Sequence, residues 1–351
     1  MGDRLVSPSG GSNHVIFRRE ALERQSSRTE SSVFGSASRA FPINNLLLYA
    51  IVVLIWGSTW AAIPYQLGVV AEEVSVGYRF GIAAVVLYLY ALASQRRLAL
   101  PVHTIPFILL QGALLFCINY FFVYYGTARI TSGLVAVVFT MILPLNAAFE
   151  RVFFGTRIDR RLAVAAVLGI SGIVMIFWPE VSSLSLEDRT VAGIGLVLIG
   201  TTIASLGNMC AVLNTRRELP VIAVNAHAMA FASALALLLS ALLGREFAFS
   251  ATTAYIASLL YLAVFGSAVA FGCYLALLRR IGSARAAYSS LLFPVVALVI
   301  STVFEGYRWT PVAAAGIFLT LAGNWLVLSS RRKNTNSSNK EESKRATIVA
   351  D

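Results

Sequence analysis

The run NLLLYAIVVLIWGSTWAAIPYQL, residues 45–67, carries no charged side chain. An α-helix of about 20 residues crosses the ~30 Å hydrocarbon core of a bilayer, so this run predicts a membrane-spanning helix. Only helices that satisfy their own backbone hydrogen bonds, or closed barrels, can cross lipid. Further apolar runs of the same length follow as far as residue 329, and together they predict an all-α membrane protein.

Working outward from this run, apolar stretches of suitable length predict ten transmembrane helices. The predicted spans are Asn45–Leu67, Ser75–Ala93, Pro106–Tyr125, Ser132–Phe154, Leu162–Trp178, Val191–Leu213, Val221–Leu243, Tyr255–Leu278, Ser283–Phe304 and Pro311–Ser329.

The composition agrees with this class, since 58% of the residues are hydrophobic and only 13% are charged. A soluble globular chain is about half apolar and a quarter charged. The formal charge of +11 is spread over short connections and both tails rather than one helix face, so we expect no nucleic-acid partner. The three cysteines lie in apolar runs and are typical of packing residues, so we expect no metal and no cofactor.

Positive charge alternates along the connections between the predicted spans. Connections after even-numbered spans hold pairs of arginines such as Arg96 and Arg97, whereas those after odd-numbered spans hold at most one cation and most of the acids. Cytoplasmic loops carry the excess of Lys and Arg, so both termini are predicted in the cytoplasm. Arginine far outnumbers lysine and alanine is abundant, which favours a bacterial source and therefore the plasma (inner) membrane.

The chain also repeats weakly at an offset of 151 residues. Ile130-Thr131-Ser132 falls on Ile281-Gly282-Ser283, and Gly172 falls on Gly323. Five spans per half give the second half the opposite polarity, which is the inverted repeat of many secondary transporters. The predicted organisation is a disordered N-terminal tail (1–43), two five-helix repeats (44–178 and 191–330) joined by an external loop (179–190), and a disordered C-terminal tail (331–351).

Four segments resemble the EamA-type transporters of the drug/metabolite transporter superfamily. They are IWGSTWAAIP (55–64), Arg79, residues 124–150 beginning YYGTARITSG, and residues 274–328 beginning YLALLRRIGS. The family often has Gly-Glu after the fourth and ninth spans, whereas this chain has Gly155-Thr156 and Gly306-Tyr307. The resemblance implies ten helices, alternating access and a small polar or amphipathic cargo, and it covers about residues 44 to 330.

Polar and aromatic side chains inside the spans are candidates for a substrate cavity, because an unpartnered polar group in lipid is costly. Two structural alternatives stay open: aromatic residues near span ends, including Tyr124 and Tyr125, are typical interfacial anchors, and asparagine often forms interhelical hydrogen bonds. The cavity candidates are Trp56, Trp60, Asn119, Tyr120, Asn146, Asn208, Phe271 and Tyr274.

Three charged residues and two prolines are candidates for coupling, gating or hinge motion. Glu150 either couples protons or pairs with a nearby arginine, and Arg79 is expected to form a structural or gate ion pair with Glu305 or Glu72. Pro144 and Pro294, in equivalent spans of the two halves, are predicted to disturb their helices and to mark the transport core.

These features together predict a secondary transporter that exports amino acids or related polar or amphipathic compounds. The expected partners are a small-molecule substrate and the lipid bilayer, and a homodimer stays an open alternative. A membrane-embedded enzyme and a receptor or structural membrane subunit are the alternative functions. The sequence contains no HExxH motif and no pair of aspartates within a span, so we expect no enzymatic activity.

Overall fold

The structure is a computed structural model of the 351-residue chain. It describes residues 44–130, 132–156, 160–176, 188–304 and 310–329, together with Trp178 and Ser182. Within these ranges the chain consists of helices and short connections, with no β-strand. The predicted tails and the predicted external loop lie largely outside the described residues.

Seven helices of the described ranges are long and apolar enough to cross a membrane, so the prediction of an all-α, multi-pass membrane protein is confirmed. We name these spans α1 (Asn45–Gln66), α2 (Glu72–Ala93), α3 (Val102–Thr127), α4 (Val135–Phe154), α6 (Arg189–Arg216), α7 (Val221–Leu242) and α8 (Thr253–Ile281).

Helical stretches that are shorter or interrupted occupy the other three predicted spans. They are α5 (Arg160–Ile176), α9, which consists of Ser283–Ala287, Tyr288–Leu292 and Phe293–Phe304, and α10 (Pro311–Ser329). The count of ten spans therefore stays a prediction. Some bounds also differ from expectation: α2 begins at Glu72, three residues before the predicted start, so that two acidic residues occupy its first turn. Acidic side chains are favourable there because they oppose the helix dipole.

The helices pack in pairs that occupy corresponding places in the two predicted halves. Helix α2 packs on α7 and α5 packs on α10, so equivalent helices contact each other directly. Helix α3 packs on α6 as α8 packs on α1, and α4 packs on α6 as α9 packs on α1. An inverted repeat would produce this pattern, because a pseudo-two-fold axis maps each contact of one half onto a contact of the other.

Irregular turns also recur at equivalent positions. A π-helical segment interrupts α3 at Gly112–Ile118, and another interrupts α8 at Val264–Val269. Helix α4 breaks at Thr140 and Met141, and α9 contains a 3-10 turn at Tyr288–Leu292. A π-helical segment shifts the backbone hydrogen-bond register and often marks a functional site. The interruptions therefore fall in the helices from which a transport path would be built.

Glycine lets α5 and α10 approach at backbone distance. A Cβ atom on Gly172 would clash with the carbonyl oxygen of Gly316, and a Cβ atom on Gly323 would lie 2.8 Å from the carbonyl oxygen of Ala165. Small residues at such crossings let helices pack closely in lipid.

Large apolar side chains such as Leu54, Leu89, Val167 and Phe318 are exposed on the outside of the helices, as expected for surfaces that face lipid.

Candidate functional site

A cavity of about 80 Å³ lies among α1, α2, α3, α4, α6, α8 and α9. One water molecule needs roughly 10–15 Å³ of such space, so the cavity is large enough for several waters. Its wall is mostly aromatic and aliphatic, with a few polar side chains and one arginine, Arg79. Concave apolar sites with a small number of polar groups are typical of small-molecule binding.

Equivalent positions of the two predicted repeats face this cavity. Tyr120 and Phe271 both line it and are 151 residues apart, and the same offset relates two further lining residues, Val123 and Tyr274. The pairs Phe139 and Ser290, and Ile142 and Phe293, line the cavity at the same separation. The offset seen in sequence thus brings side chains of both halves to one place.

The structure brings most of the sequence-predicted cavity residues together. Seven of the eight line the cavity, and Asn146 lies directly behind them, where its side chain contacts that of Asn208. The seven are Trp56, Trp60, Asn119, Tyr120, Asn208, Phe271 and Tyr274. Their role in transport stays a prediction.

Aromatic rings form one wall of the cavity around Trp56. Its ring lies 4.7 Å from Phe271, 5.1 Å from Tyr274 and 5.6 Å from Phe293, measured between ring centroids. The indole Nε1 of Trp56 donates a hydrogen bond of 2.9 Å to the backbone carbonyl of Gly266, within the π-helical segment of α8. This bond orients the indole, so the wall has a fixed face against which an apolar or planar group could stack.

Three polar atoms of residues that line the cavity have no hydrogen-bond partner among the described residues. The side-chain oxygens of Asn119 and Asn208 and the indole nitrogen of Trp60 are buried and unpartnered. Asn146 accepts a hydrogen bond of 2.6 Å from Ser205 and one of 3.4 Å from Asn208. Buried polar groups are normally paired, so unpartnered ones around a cavity are candidates for ligand contact.

Arg79 reaches this cavity from α2 and is only 2% exposed. Its Nε donates a hydrogen bond of 2.9 Å to Ser267, and its Nη1 donates one of 3.4 Å to the hydroxyl of Tyr124. The guanidinium carbon lies 4.7 Å from the centroid of the Tyr120 ring. The predicted pair with Glu72 does not form, because Arg79 is directed inward, whereas Glu72 lines a surface hollow with Arg129 and Arg189.

The remaining predicted residues lie around the cavity or outside the described part of the chain. Glu150 is half-buried and close enough to Tyr274 to interact electrostatically with its hydroxyl. Glu305 lies outside the described residues.

Pro144 and Pro294 each lie in the first turn of a helical stretch that follows a break, where proline is tolerated. Neither proline lines the cavity, although the neighbouring Ile142 and Phe293 do.

Sequence reasoning missed a second charged site, which we call the edge cluster and which consists of Glu73, Tyr125 and Arg245. The Glu73 carboxylate is fully buried, and its Oε1 lies 3.2 Å from Nη2 of Arg245 and accepts a hydrogen bond from Tyr125. The hydroxyl of Tyr125 and the charge of Glu73 raise the pKa of Arg245 above its ordinary value. The predicted topology placed all three residues on the external side, which was the available signal.

The adjacent tyrosines Tyr124 and Tyr125 are not free interfacial anchors. Tyr124 is completely buried and accepts the hydrogen bond from Arg79, whereas Tyr125 donates a hydrogen bond to Glu73 within the edge cluster.

Within the described ranges, no group of three or more His, Cys, Asp or Glu side chains lies close enough to hold a metal ion.

Comparison with known proteins gives the fold and the family. The EamA-like transporter family matches residues 44–178 and 191–329. A solved crystal structure aligns with a TM-score of 0.67 at 18% identity, covering 82% of this chain and 98% of the other, which shows a shared fold.

Curated relatives match over nearly the same region. The chain is 26% identical to protein PagO of Salmonella typhimurium over 305 residues, which cover 83% of this chain and 97% of PagO. It is 27% identical over 261 residues to YedA of Escherichia coli, named an inner membrane transporter, covering 74% of this chain and 82% of YedA. A protein of Archaeoglobus fulgidus named a transporter is 22% identical over 285 residues, covering 81% and 99%.

Proposed function

This chain belongs to the EamA-like transporter family, and we propose that it is a secondary transporter that moves a small polar or amphipathic metabolite by alternating access. Membership makes it a membrane transporter. Of the functions predicted from sequence, transport is the one that the names of the relatives support, in preference to a membrane-embedded enzyme or a receptor.

The observation that carries the proposal is the cavity between helices of the two halves. Equivalent positions such as Tyr120 and Phe271 contribute to the same cavity, which a mechanism that exchanges the roles of two repeats would require. The unpartnered oxygens of Asn119 and Asn208 supply polar contacts, and the ring of Trp56 supplies an apolar face. This combination suits a compound with both polar and apolar parts.

We further propose that the direction is export and that the substrates are amino acids or related compounds. The proposed setting is the inner membrane with both termini in the cytoplasm, which agrees with the name of the YedA relative and with the distribution of arginines. Efflux from preloaded cells that overproduce the protein, compared with deletion cells, tests the direction. Reporter fusions at each terminus test the topology, and opposite locations of the two termini would contradict it.

The variant Asn119→Ala tests whether the cavity is the transport path. We expect it to reduce exchange of labelled substrate in proteoliposomes by roughly 5- to 10-fold, since one hydrogen bond contributes about 1 kcal/mol. The substrate would be the strongest compound from a metabolite efflux screen.

Asn225→Ala is the matched control. Asn225 is also a fully buried asparagine with unpartnered side-chain atoms, but it lies on α7 and does not line the cavity. If Asn119→Ala and Asn225→Ala exchange substrate at the same rate, the cavity is not the path.

A further inference from the structure

Arg79 is a buried cation whose contacts in the described part of the chain are all neutral. Two hydroxyls, those of Ser267 and Tyr124, accept its hydrogen bonds, and the rings of Tyr120 and Phe80 lie beneath its guanidinium carbon at 4.7 and 5.4 Å. A charged side chain inside a membrane span is costly, and such residues usually pair with an opposite charge or mark a substrate path. Arg79 therefore needs an explanation beyond packing.

The two acidic residues nearest to Arg79 in sequence do not pair with it. Glu73, on the same helix, is bound by Arg245 and Tyr125, and Glu72 lies at a surface hollow. Among the described residues that line the cavity there is no aspartate or glutamate. The described wall of the cavity therefore has one positive charge and no negative charge.

The other half of the predicted repeat has no charge at the equivalent position. The offset of 151 residues places Ala230 of α7 at the position of Arg79 in α2, and these two helices pack on each other. The first half of the predicted repeat thus has a cation at this position, and the second half has an alanine.

The guanidinium also has unused hydrogen-bonding capacity. It offers five N–H donors; two donate to Ser267 and Tyr124, and the hydroxyl of Tyr120 also lies within hydrogen-bonding reach, so these described residues do not use all five. Ser267 fixes Nε, and Ser267 itself donates to the carbonyl of Leu262, a bond that bridges the start of the π-helical segment. The fork of an arginine matches a carboxylate in two parallel hydrogen bonds.

We propose that Arg79 is the carboxylate-binding group of the cavity and that the transported compound is a small carboxylate with an apolar or aromatic body. The carboxylate takes the free donors of Arg79, and the body lies against Trp56, Phe271 and Phe293. The unpartnered Trp60 Nε1 is a second donor in the same cavity. This inference rests on the proposed function in treating the cavity as the substrate path.

Probes that share one body test the charge directly. Calorimetric titration of the purified full-length protein would compare 3-phenylpropionate, its neutral methyl ester, phenethylamine and phenylalanine. We expect both carboxylates to bind roughly 10- to 100-fold more tightly than the ester and the amine, since a hydrogen bond to a charged group contributes about 1.5–3 kcal/mol. Equal binding of acid and ester, or no binding of either carboxylate, would overturn the proposal.

The variant Arg79→Met removes the charge while keeping an apolar chain of similar length. We expect it to lose the preference for the acid over the ester and to melt at or above the temperature of the unliganded wild type, because an uncompensated buried charge is removed. Arg96→Gln is the matched control, since it removes an exposed cation that follows the same helix and lies outside the cavity. A preference retained in Arg79→Met, or a large fall in its melting temperature, would overturn the proposal.

Flux measurements keep this inference separate from the proposed function. Carboxylate binding without flux in proteoliposomes would contradict transport but leave the Arg79 subsite standing. Flux of phenethylamine but not of 3-phenylpropionate would leave transport standing and overturn the subsite.

Discussion

Two arginines, Arg79 in the cavity and Arg245 in the edge cluster, place a positive charge in opposite settings. Arg245 is 45% exposed and meets a carboxylate that is fully buried, so the protein itself supplies the counter-charge. Arg79 is buried, and its partners are hydroxyls and aromatic rings. Arg245 therefore stabilises contacts between helices, whereas Arg79 is available to bind a ligand.

The two settings also differ in what they connect. The edge cluster joins the start of α2, the end of α3 and the connection between α7 and α8. Arg79 instead joins α2 to the π-helical segment of α8 and to α3, beside the cavity. We therefore expect changes in the edge cluster to alter mainly stability, and changes around Arg79 to alter mainly binding.

The largest expected effect on stability comes from Arg245→Gln. It leaves the buried Glu73 carboxylate without its cation, so we expect the melting temperature of the purified protein to fall by several degrees. The double variant Glu73→Gln/Arg245→Gln should recover most of that loss, because neither charge then remains. A melting temperature of Arg245→Gln equal to that of the wild type would remove the contrast between the two arginines.

A smaller effect is expected from the adjacent tyrosines, which divide between the two settings. Tyr125→Phe removes a hydrogen bond to a buried carboxylate and should cost about 1 kcal/mol of unfolding free energy, since part of the site is open to solvent. Tyr124→Phe removes a long contact of 3.4 Å with Arg79 and should cost roughly half as much or less. Reversible denaturation in mixed micelles measures both, and the opposite order would contradict the comparison.

The last expected effect, from Ser267→Ala, falls on ligand binding. The hydroxyl of Ser267 accepts a 2.9 Å hydrogen bond from Nε of Arg79, so its loss should weaken binding of 3-phenylpropionate by roughly 3- to 10-fold and cost no more unfolding free energy than one hydrogen bond, about 1 kcal/mol. Ser233→Ala is the control, because Ser233 also donates from a buried position, to the carbonyl of Gly77, and lies outside the cavity. Equal binding by the two variants would show that Ser267 does not position Arg79.

Much of the candidate site could be predicted because polar groups within apolar runs are conspicuous. Asn119, Tyr120 and Tyr274 were identified from helical spacing and the repeat, and the structure places all three on one cavity. Arg79 was identified as a charged residue within a span, but of its two predicted partners Glu72 lies elsewhere, and the pair with Glu305, which is outside the described residues, stays a prediction. A charged side chain can turn towards either end of its helix, and sequence does not say which neighbouring helix offers a hydroxyl.

The edge cluster is a second example of contacts that the sequence did not predict. Glu73 and Arg245 are 172 positions apart, and each alone resembles an ordinary charge at the end of a span. Their pairing depends on the packing of α2 against α7, which brings the connection after α7 over the first turn of α2. The π-helical segments were not predicted either, since no local residue pattern distinguishes them from continuous helix.

The sequence by itself determined the helical membrane class, because each span must form its backbone hydrogen bonds within its own run of apolar residues. The sequence also determined the family. The offset of 151 residues likewise belongs to the sequence and anticipated which positions face each other. Only the tertiary structure decided which charges meet. Ion pairs and hydrogen bonds form between helices that are distant along the chain, so Glu73 is neutralised by the protein and Arg79, within the described residues, is not.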